Sequence, residues 1–264
     1  MNEQVTSAQL TYVAKQIRRR RIVAAARIFL LVFFISIWEL SARIGVLNDF
    51  IFSSPSKIIN CMIEMILDGS MVYHTGITVL ETMTSFILVI FLGIGGAILL
   101  WSSRMLSEIL DPYLVMLNSL PKSALAPILI VWLGANVRTI IVAAVSVAVF
   151  GSILTLHNGF SNMDRDQIKL IYSLGGSKKD VMTKVLLPGS VPMIVSNMKV
   201  NVGLCLVGVI IGEFLAARAG LGYLIIYGSQ VFQLDLVLMA IVILCILSAL
   251  MYRGISLLEK KLDK

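Results

Sequence analysis

The stretch LGGSKKDVMTKVLLPGSVP, residues 174–192, is polar and charged. It follows a long apolar run, since the residues between Arg138 and Asp164 carry no charge at all. Gly175 and Gly176 are suited to end a helix, because glycine readily adopts the left-handed conformation found at helix C-termini. Ser177, followed three residues later by Asp180, has the pattern of a capping box that begins another helix. The stretch therefore predicts two short helices joined by a sharp turn, a compact projection between apolar segments.

The composition of the whole chain indicates a membrane protein. Its 264 residues are 58% hydrophobic and 14% charged, with a mean hydropathy of +0.92. Soluble domains are about half apolar and about a quarter charged, and a helix needs roughly 20 mainly apolar residues to span a bilayer. We expect an all-α polytopic membrane protein with about six transmembrane helices. The predicted spans are residues 22–42, 76–101, 113–133, 138–157, 191–215 and 234–252.

The net charge of +7 reports membrane orientation. Most Lys and Arg residues lie within residues 1–27, in the loop 158–189, or after residue 252. Because basic residues accumulate in cytoplasmic segments, we expect both termini and this loop in the cytoplasm, and no nucleic-acid partner. The predicted organisation is a cytoplasmic segment 1–21, a transmembrane domain 22–255 with its core at about 70–255, and a tail 256–264.

No motif for bound cofactors or catalysis is present in the sequence. None of the glycines is followed by lysine, so the phosphate-binding pattern G-x-x-x-x-G-K-[ST] is absent. Cys61, Cys205 and Cys245 lack the spacing of a disulfide framework or a metal site. We therefore expect that the chain is not an enzyme and binds no cofactor or metal itself.

Two further segments carry local signals. Pro121 and Pro127 remove backbone donors in the third span, and broken backbone at membrane depth occurs where it is buried in protein or lines a water-filled cavity. Ser54, Pro55 and Ser56 are typical of a helix start, and the apolar residues that follow recur at helical spacing. We expect an irregular third span, and an amphipathic helix on the outer surface.

Charged residues inside the spans are candidates for function, because each costs about 2.5–3.5 kcal/mol at a helix centre on insertion scales. Lys122, Lys199 and Glu213 are predicted to lie deepest. Two interpretations remain open. Either a lysine contacts an anionic solute, or Lys199 extends to the cytoplasmic interface while Glu213 pairs with Arg218 or contributes to an outer gate.

The fifth span is predicted to line the translocation pathway. Asn197 and Asn201 are four residues apart and share one helical face, and Lys199 lies on an adjoining one. The candidate pathway or gate residues are Lys122, Asn197, Lys199, Asn201 and Glu213.

Three segments together resemble a known family. Gly175–Gly176 followed by Val185, Leu187 and Pro188 is similar to the cytoplasmic loop of ABC importer permeases. The segments LPKSALAPILIVWLGAN (120–136) and LPGSVPMIVSNMKVNVG (187–203), with GEFLAARAGLGYLI (212–225), resemble the sulfonate, taurine and nitrate branch. The resemblance implies a type I ABC importer (MetI-like) permease fold, with residues 158–189 as a coupling loop that contains a coupling helix.

The resemblance also implies partners and residues. The coupling loop would dock on a separate ATPase subunit that holds ATP and Mg, and an external binding protein would deliver the solute to a pair of permease chains in the bacterial inner membrane. The implied coupling residues are Asp166, Lys169, Leu170, Ile171, Leu174, Gly175, Gly176, Ser177 and Pro188. Where the family loop begins Glu-Ala-Ala, this chain has Lys169, Leu170 and Ile171, so the salt bridge of that Glu is not expected.

Several functions are compatible with these residues. The resemblance favours import of a small anion such as a sulfonate, taurine or nitrate. The alternatives are a vitamin-type solute (a thiamine precursor or riboflavin) carried by the same architecture, and a secondary transporter that needs no ATPase. From the residues alone, the loop 158–189 could also be merely solvated.

Overall fold

The computed structural model describes residues 7–46 and 52–262, and within these ranges the chain forms helices and turns without a β-strand. The helices are α1 (Ser7–Arg43), α2 (Pro55–Leu67), α3 (Ser70–Ser102), α4 (Arg104–Ser119), α5 (Lys122–Leu133), α6 (Val137–Ser161), α7 (Arg165–Ser173), α8 (Lys178–Val181), α9 (Val191–Ala216), α10 (Leu221–Gln230) and α11 (Leu234–Leu262). A π-helical turn, Met182–Leu186, and a short helical turn, Leu187–Gly189, connect α8 to α9.

Five of these helices, α1, α3, α6, α9 and α11, are long and apolar enough to cross a membrane, and α4 and α5 together make a sixth candidate. This confirms the expected all-α membrane fold with about six spans. The third expected span, residues 113–133, is however not one straight helix, because α4 and α5 are bent by 95° relative to each other.

Proline explains where that bend occurs. Leu120 has extended backbone, with ψ of 139°, as expected for the residue before a proline. Pro121 itself is also extended, with ψ of 100°. The break expected at Pro121 is therefore present. Pro127 was expected to break the span as well, but it lies within α5 and does not end that helix. Pro112 likewise lies within α4 without ending it.

Helix α1 stands apart from the rest of the fold. It runs from Ser7 through Arg43 without a break at residue 21, where the cytoplasmic segment was expected to end. Most of its described apolar side chains are exposed, as expected for contact with lipid, whereas Trp38 and Ala42 near its C-terminal end are partly or fully buried. The backbone N–H and the hydroxyl of Ser56 donate to the carboxylate of Glu39, at 3.1 and 2.7 Å, and so connect α1 to α2. Ser54 caps α2, as the sequence predicted.

The centre of the fold is the packing of α6 against α3 and α9. Small residues allow close approach there: a Cβ added to Gly208 of α9 would lie 2.6 Å from the Cα of Ala144 in α6. Small residues serve this purpose in membranes, where apolar side chains gain little by leaving lipid. The core holds two structures in place: the α7–α8 loop at one end of the bundle, and α10 at the opposite end.

Candidate coupling loop and buried polar groups

The first half of the loop is a well-capped helix. The carboxylate of Asp164 accepts a hydrogen bond from the N–H of Asp166 (2.9 Å) at the start of α7. Beyond α7, Gly175 has φ of +77°, in the left-handed region that favours glycine. The N–H of Gly176 donates to the carbonyl of Ile171 (2.9 Å), so the helix ends in a tight turn. The predicted helix and its glycine end are therefore present.

The second half begins with the predicted capping box. The N–H of Ser177 donates to a carboxylate oxygen of Asp180 (2.9 Å), and the Ser177 hydroxyl accepts from the N–H of Asp180 (3.4 Å). The Lys184 ammonium lies 2.9 Å from the same carboxylate. Hydrogen bonds from Ser177, and then from Lys184, hold the pKa of Asp180 well below its ordinary value.

The loop has an inner face attached to the bundle and an outer apolar face. On the inner face, Val181 and Leu186 are fully buried, and Leu186 belongs to a cluster with Ala97, Leu156 and Phe160. On the α7 side of the loop, three apolar side chains are exposed. These are Leu170 (58% exposed), Tyr172 (49%) and Leu174 (76%). Leu170 and Leu174 are four residues apart and share one helical face, which is the outer face of the loop.

The two asparagines of the fifth span point into the protein core. The side-chain amides of Asn197 and Asn201 both donate to the hydroxyl of Ser152 in α6, at 2.7 and 3.0 Å, and both residues are buried. They connect α9 to α6 within one chain. That they line a pathway stays a prediction.

Both candidate lysines have partners within the chain. The ammonium of Lys122 donates to the carbonyls of Leu117 and of Asn118 (3.0 Å for the latter), so it spans the bend between α4 and α5. The ammonium of Lys199 forms an ion pair with the carboxylate of Glu259 in α11. The sequence did not identify Glu259 as a partner of Lys199, because the two residues are 60 positions apart and no local spacing marks the pair.

Glu213 does not pair with Arg218, and that expectation is wrong for the part of the chain that the structure describes. Instead, the buried Glu213 carboxylate accepts hydrogen bonds from the Thr78 hydroxyl (2.7 Å) and from the N–H of Gly222 (2.5 Å). Gly222 lies in the first turn of α10, whose own N-cap residue has no side chain to accept these bonds.

Further groups from α3 complete this cap. The N–H of Leu221 donates to the Thr78 hydroxyl (2.8 Å), and the N–H of Gly220 donates to Nδ1 of His74 (3.0 Å). The first N–H groups of a helix have no partner within it, so these distant side chains hold the end of α10 against α3 and α9. Gly220 must be glycine here, because its φ is +118° and a Cβ would overlap the Glu213 carboxylate.

Glu81 is a buried acid that the sequence analysis missed as a candidate. It is 4% exposed and lies beside the Glu213 carboxyl, and its Oε2 atom has no hydrogen-bond partner among the described residues. Glu81 also lines a cavity of about 300 Å³, together with Asn136 and Arg218. No local pattern in the sequence showed that Glu81 lies beside Glu213.

Comparison with known proteins decides the family. Residues 89–264 match the family model described as "Binding-protein-dependent transport system inner membrane component". The chain belongs to this family. It is therefore a multi-pass ABC importer permease subunit, which confirms the resemblance seen in the sequence, and partner ATPase and binding-protein subunits are general features of the family.

Three similar proteins illustrate the range of this family. The permease is 28% identical over 230 residues to the putative aliphatic sulfonates transport permease of Bacillus subtilis, with 87% of this chain and 83% of that protein covered. It is 29% identical over 189 residues to the formylaminopyrimidine transport permease of Halalkalibacterium halodurans (71% and 74% covered). An inward-facing methionine ABC transporter has the same fold, with a TM-score of 0.66 at 18% identity over 75% of this chain and 98% of that one.

The departure at the head of the family loop has a local consequence. Lys169 of the permease lies 3.1 Å from Asp166, one turn earlier on α7, and both side chains are largely exposed. An exposed pair of this kind contributes about 0.3–0.5 kcal/mol. Lys169 therefore has a partner on the loop itself. In the described ranges, no group of three or more His, Cys, Asp or Glu side chains is placed so that it could hold a metal ion.

Proposed function

We propose that two copies of this permease form the translocation pathway of an ABC importer and that residues 158–189 couple it to the ATPase. The observation that best supports this proposal is the way in which the loop is built. A glycine turn and a reciprocal capping box fix the angle between α7 and α8, buried Leu186 fixes the loop to the bundle, and Leu170 and Leu174 face outward. A rigid loop transmits a displacement, whereas a flexible one would absorb it.

The partners follow from this arrangement. ATPase subunits carrying ATP and Mg would bind the exposed face of the loop, and an external binding protein would deliver solute at the opposite end, where α2 and α10 lie. The permease itself would bind no cofactor and hydrolyse no ATP. Its termini would be cytoplasmic in a bacterial inner membrane, and the exposed apolar surface of α1 would contact lipid.

The solute is proposed in two classes. A small anion such as a sulfonate, taurine or nitrate is supported by the sulfonate-permease relative. A vitamin-type solute with amino groups is the second candidate, and one observation favours it. Lys122 and Lys199 already have partners within the chain, while Glu81 is an acid that lines a cavity and whose Oε2 atom has no hydrogen-bond partner among the described residues. The formylaminopyrimidine-permease relative supports the same class.

Affinity purification in mild detergent tests the coupling role. The double variant Leu170→Asp, Leu174→Asp alters the outer face of the loop and keeps both Gly175 and the Ser177–Asp180 capping box. Leu257→Asp, Leu258→Asp on α11 is a control with two similarly exposed leucines. We expect the ATPase to co-purify with wild type and the control but not with the loop variant. Equal recovery with both variants would contradict docking at this face. Uptake by wild-type proteoliposomes without any ATPase would instead support a secondary transporter.

Thermal unfolding of the complete transporter separates the solute classes. Taurine, nitrate and formylaminopyrimidine are added in turn, because a ligand that binds the native state stabilises it by RT ln(1 + [L]/Kd) and so raises the unfolding midpoint. Stabilisation by taurine or nitrate supports the anion, and stabilisation by formylaminopyrimidine alone supports the vitamin-type solute.

A further inference from the structure

Lys178, the first residue of α8, makes a contact outside the coupling loop. Its ammonium donates to the carbonyl of Ser102 (2.5 Å), the last residue of α3 and 76 positions earlier in the chain. The same ammonium lies 5.3 Å from the centre of the Trp101 ring. The start of α8 is thus attached to the end of a membrane-spanning helix.

Both halves of this contact suit a cation. The last carbonyls of a helix have no intrahelical partner and form the negative end of the helix dipole, where a lysine is stabilised. The face of a tryptophan ring attracts an ammonium as well. Lys179, the neighbouring residue, is also exposed but makes no side-chain hydrogen bond or ion pair with any described residue. The chain therefore contains a matched pair of lysines, one attached to α3 and one not.

The attachment changes which helices a moving loop would displace. Through its C-terminal side, α8 continues by the π-helical turn into α9. Through Lys178, its N-terminal side is held to α3, which packs along α6. A loop held at one side only would pivot about residues 187–189. With both sides held, a displacement of the loop would move α3 and α9 together.

We propose that Lys178 is a positioning residue that transmits the movement of the coupling loop to α3. This inference rests on the proposed coupling function, which it extends by naming a second helix that receives the movement. The contact lies outside the apolar face proposed to bind the ATPase, so loss of Lys178 should leave docking intact.

A distance measurement on the assembled transporter tests this without knowledge of the solute. Spin labels are placed at Arg165→Cys on α7 and Leu99→Cys on α3, both exposed positions outside the proposed docking face, after the three native cysteines have been replaced by serine. Distances are recorded by pulsed electron paramagnetic resonance, without nucleotide and after trapping with ATP, Mg²⁺ and vanadate. The variants Lys178→Ala, Lys178→Arg and Lys179→Ala are compared with the doubly labelled parent protein, which keeps both lysines.

The expected result is one narrow label-to-label distance in both states for the parent protein, for Lys179→Ala and for Lys178→Arg, which keeps the cationic donor. Lys178→Ala should bind the same amount of ATPase, yet lose the fixed distance on trapping. Identical distributions for Lys178→Ala and Lys179→Ala would overturn the inference alone. Loss of the ATPase from Lys178→Ala would also overturn it, since Lys178 would then act in docking. Absence of the ATPase from every sample would refute the coupling function itself.

Discussion

A single methyl group at Gly208 should force apart the two helices at the centre of the permease. The Cβ of Gly208→Ala would lie 2.6 Å from the Cα of Ala144 and 3.2 Å from its carbonyl oxygen. Ordinary contact begins at 3.4 Å, and the obstructing atoms include backbone, which cannot rotate away. The α6 and α9 axes must separate instead, which also lengthens the hydrogen bonds from Asn197 and Asn201 to Ser152.

The magnitude follows from two opposing effects. Overpacking a well-packed interior costs about 1–3 kcal/mol, whereas alanine is favoured over glycine inside a helix by up to about 1 kcal/mol. The net change for Gly208→Ala is a destabilisation of about 1–2 kcal/mol. Gly203→Ala on the same helix is the control, because a Cβ there meets nothing within 4 Å and only the helical preference remains.

Thermal unfolding in detergent, followed by tryptophan fluorescence, measures both variants. We expect a lower midpoint than wild type for Gly208→Ala and an equal or higher one for Gly203→Ala. If Gly208→Ala unfolds at or above the midpoint of Gly203→Ala, then α6 and α9 are not in the close contact described, and the reasoning is refuted.

Three further predictions concern the charged groups. Asp180→Asn should increase hydrogen exchange in residues 177–186, because the capping box at the start of α8 loses its charged acceptor. Because the hydrogen bonds of Asp180 lower its pKa, wild type should keep this protection above about pH 4 and lose it only as the pH falls further. Glu213→Gln should lower the free energy of unfolding by about 1–3 kcal/mol, because it weakens the buried hydrogen bonds that cap α10. The control Glu108→Gln, at an exposed ion pair, should change the free energy of unfolding by less than about 1 kcal/mol. Equal effects of the two variants would argue against the α10 cap. Lys199→Met should destabilise the permease more than the double variant Lys199→Met, Glu259→Leu does, because the single change leaves a partly buried carboxylate unpaired. Thermal unfolding of the two single variants and the double variant measures this. Additive effects would show that the pair is not coupled.

The sequence by itself determined the features that depend on neighbours along the chain. Composition and apolar runs predicted a polytopic helical membrane protein, since a span must satisfy its backbone within its own helix. The left-handed Gly175, the box of Ser177 and Asp180, and the cap at Ser54 were all predicted, because each acts over three or four residues. The break at Pro121 was predicted for the same reason.

Only the tertiary structure decided which polar groups meet. Glu213 contacts Thr78 and Glu81 rather than the nearby Arg218, Lys199 contacts Glu259, and Lys178 contacts the end of α3. These partners lie 60 to 135 residues apart, so no helical period or cap links them. Their meeting depends on how α3, α6, α9 and α11 pack, and buried polar groups take whichever partner that packing brings within reach, because leaving one unpaired costs more than any local preference.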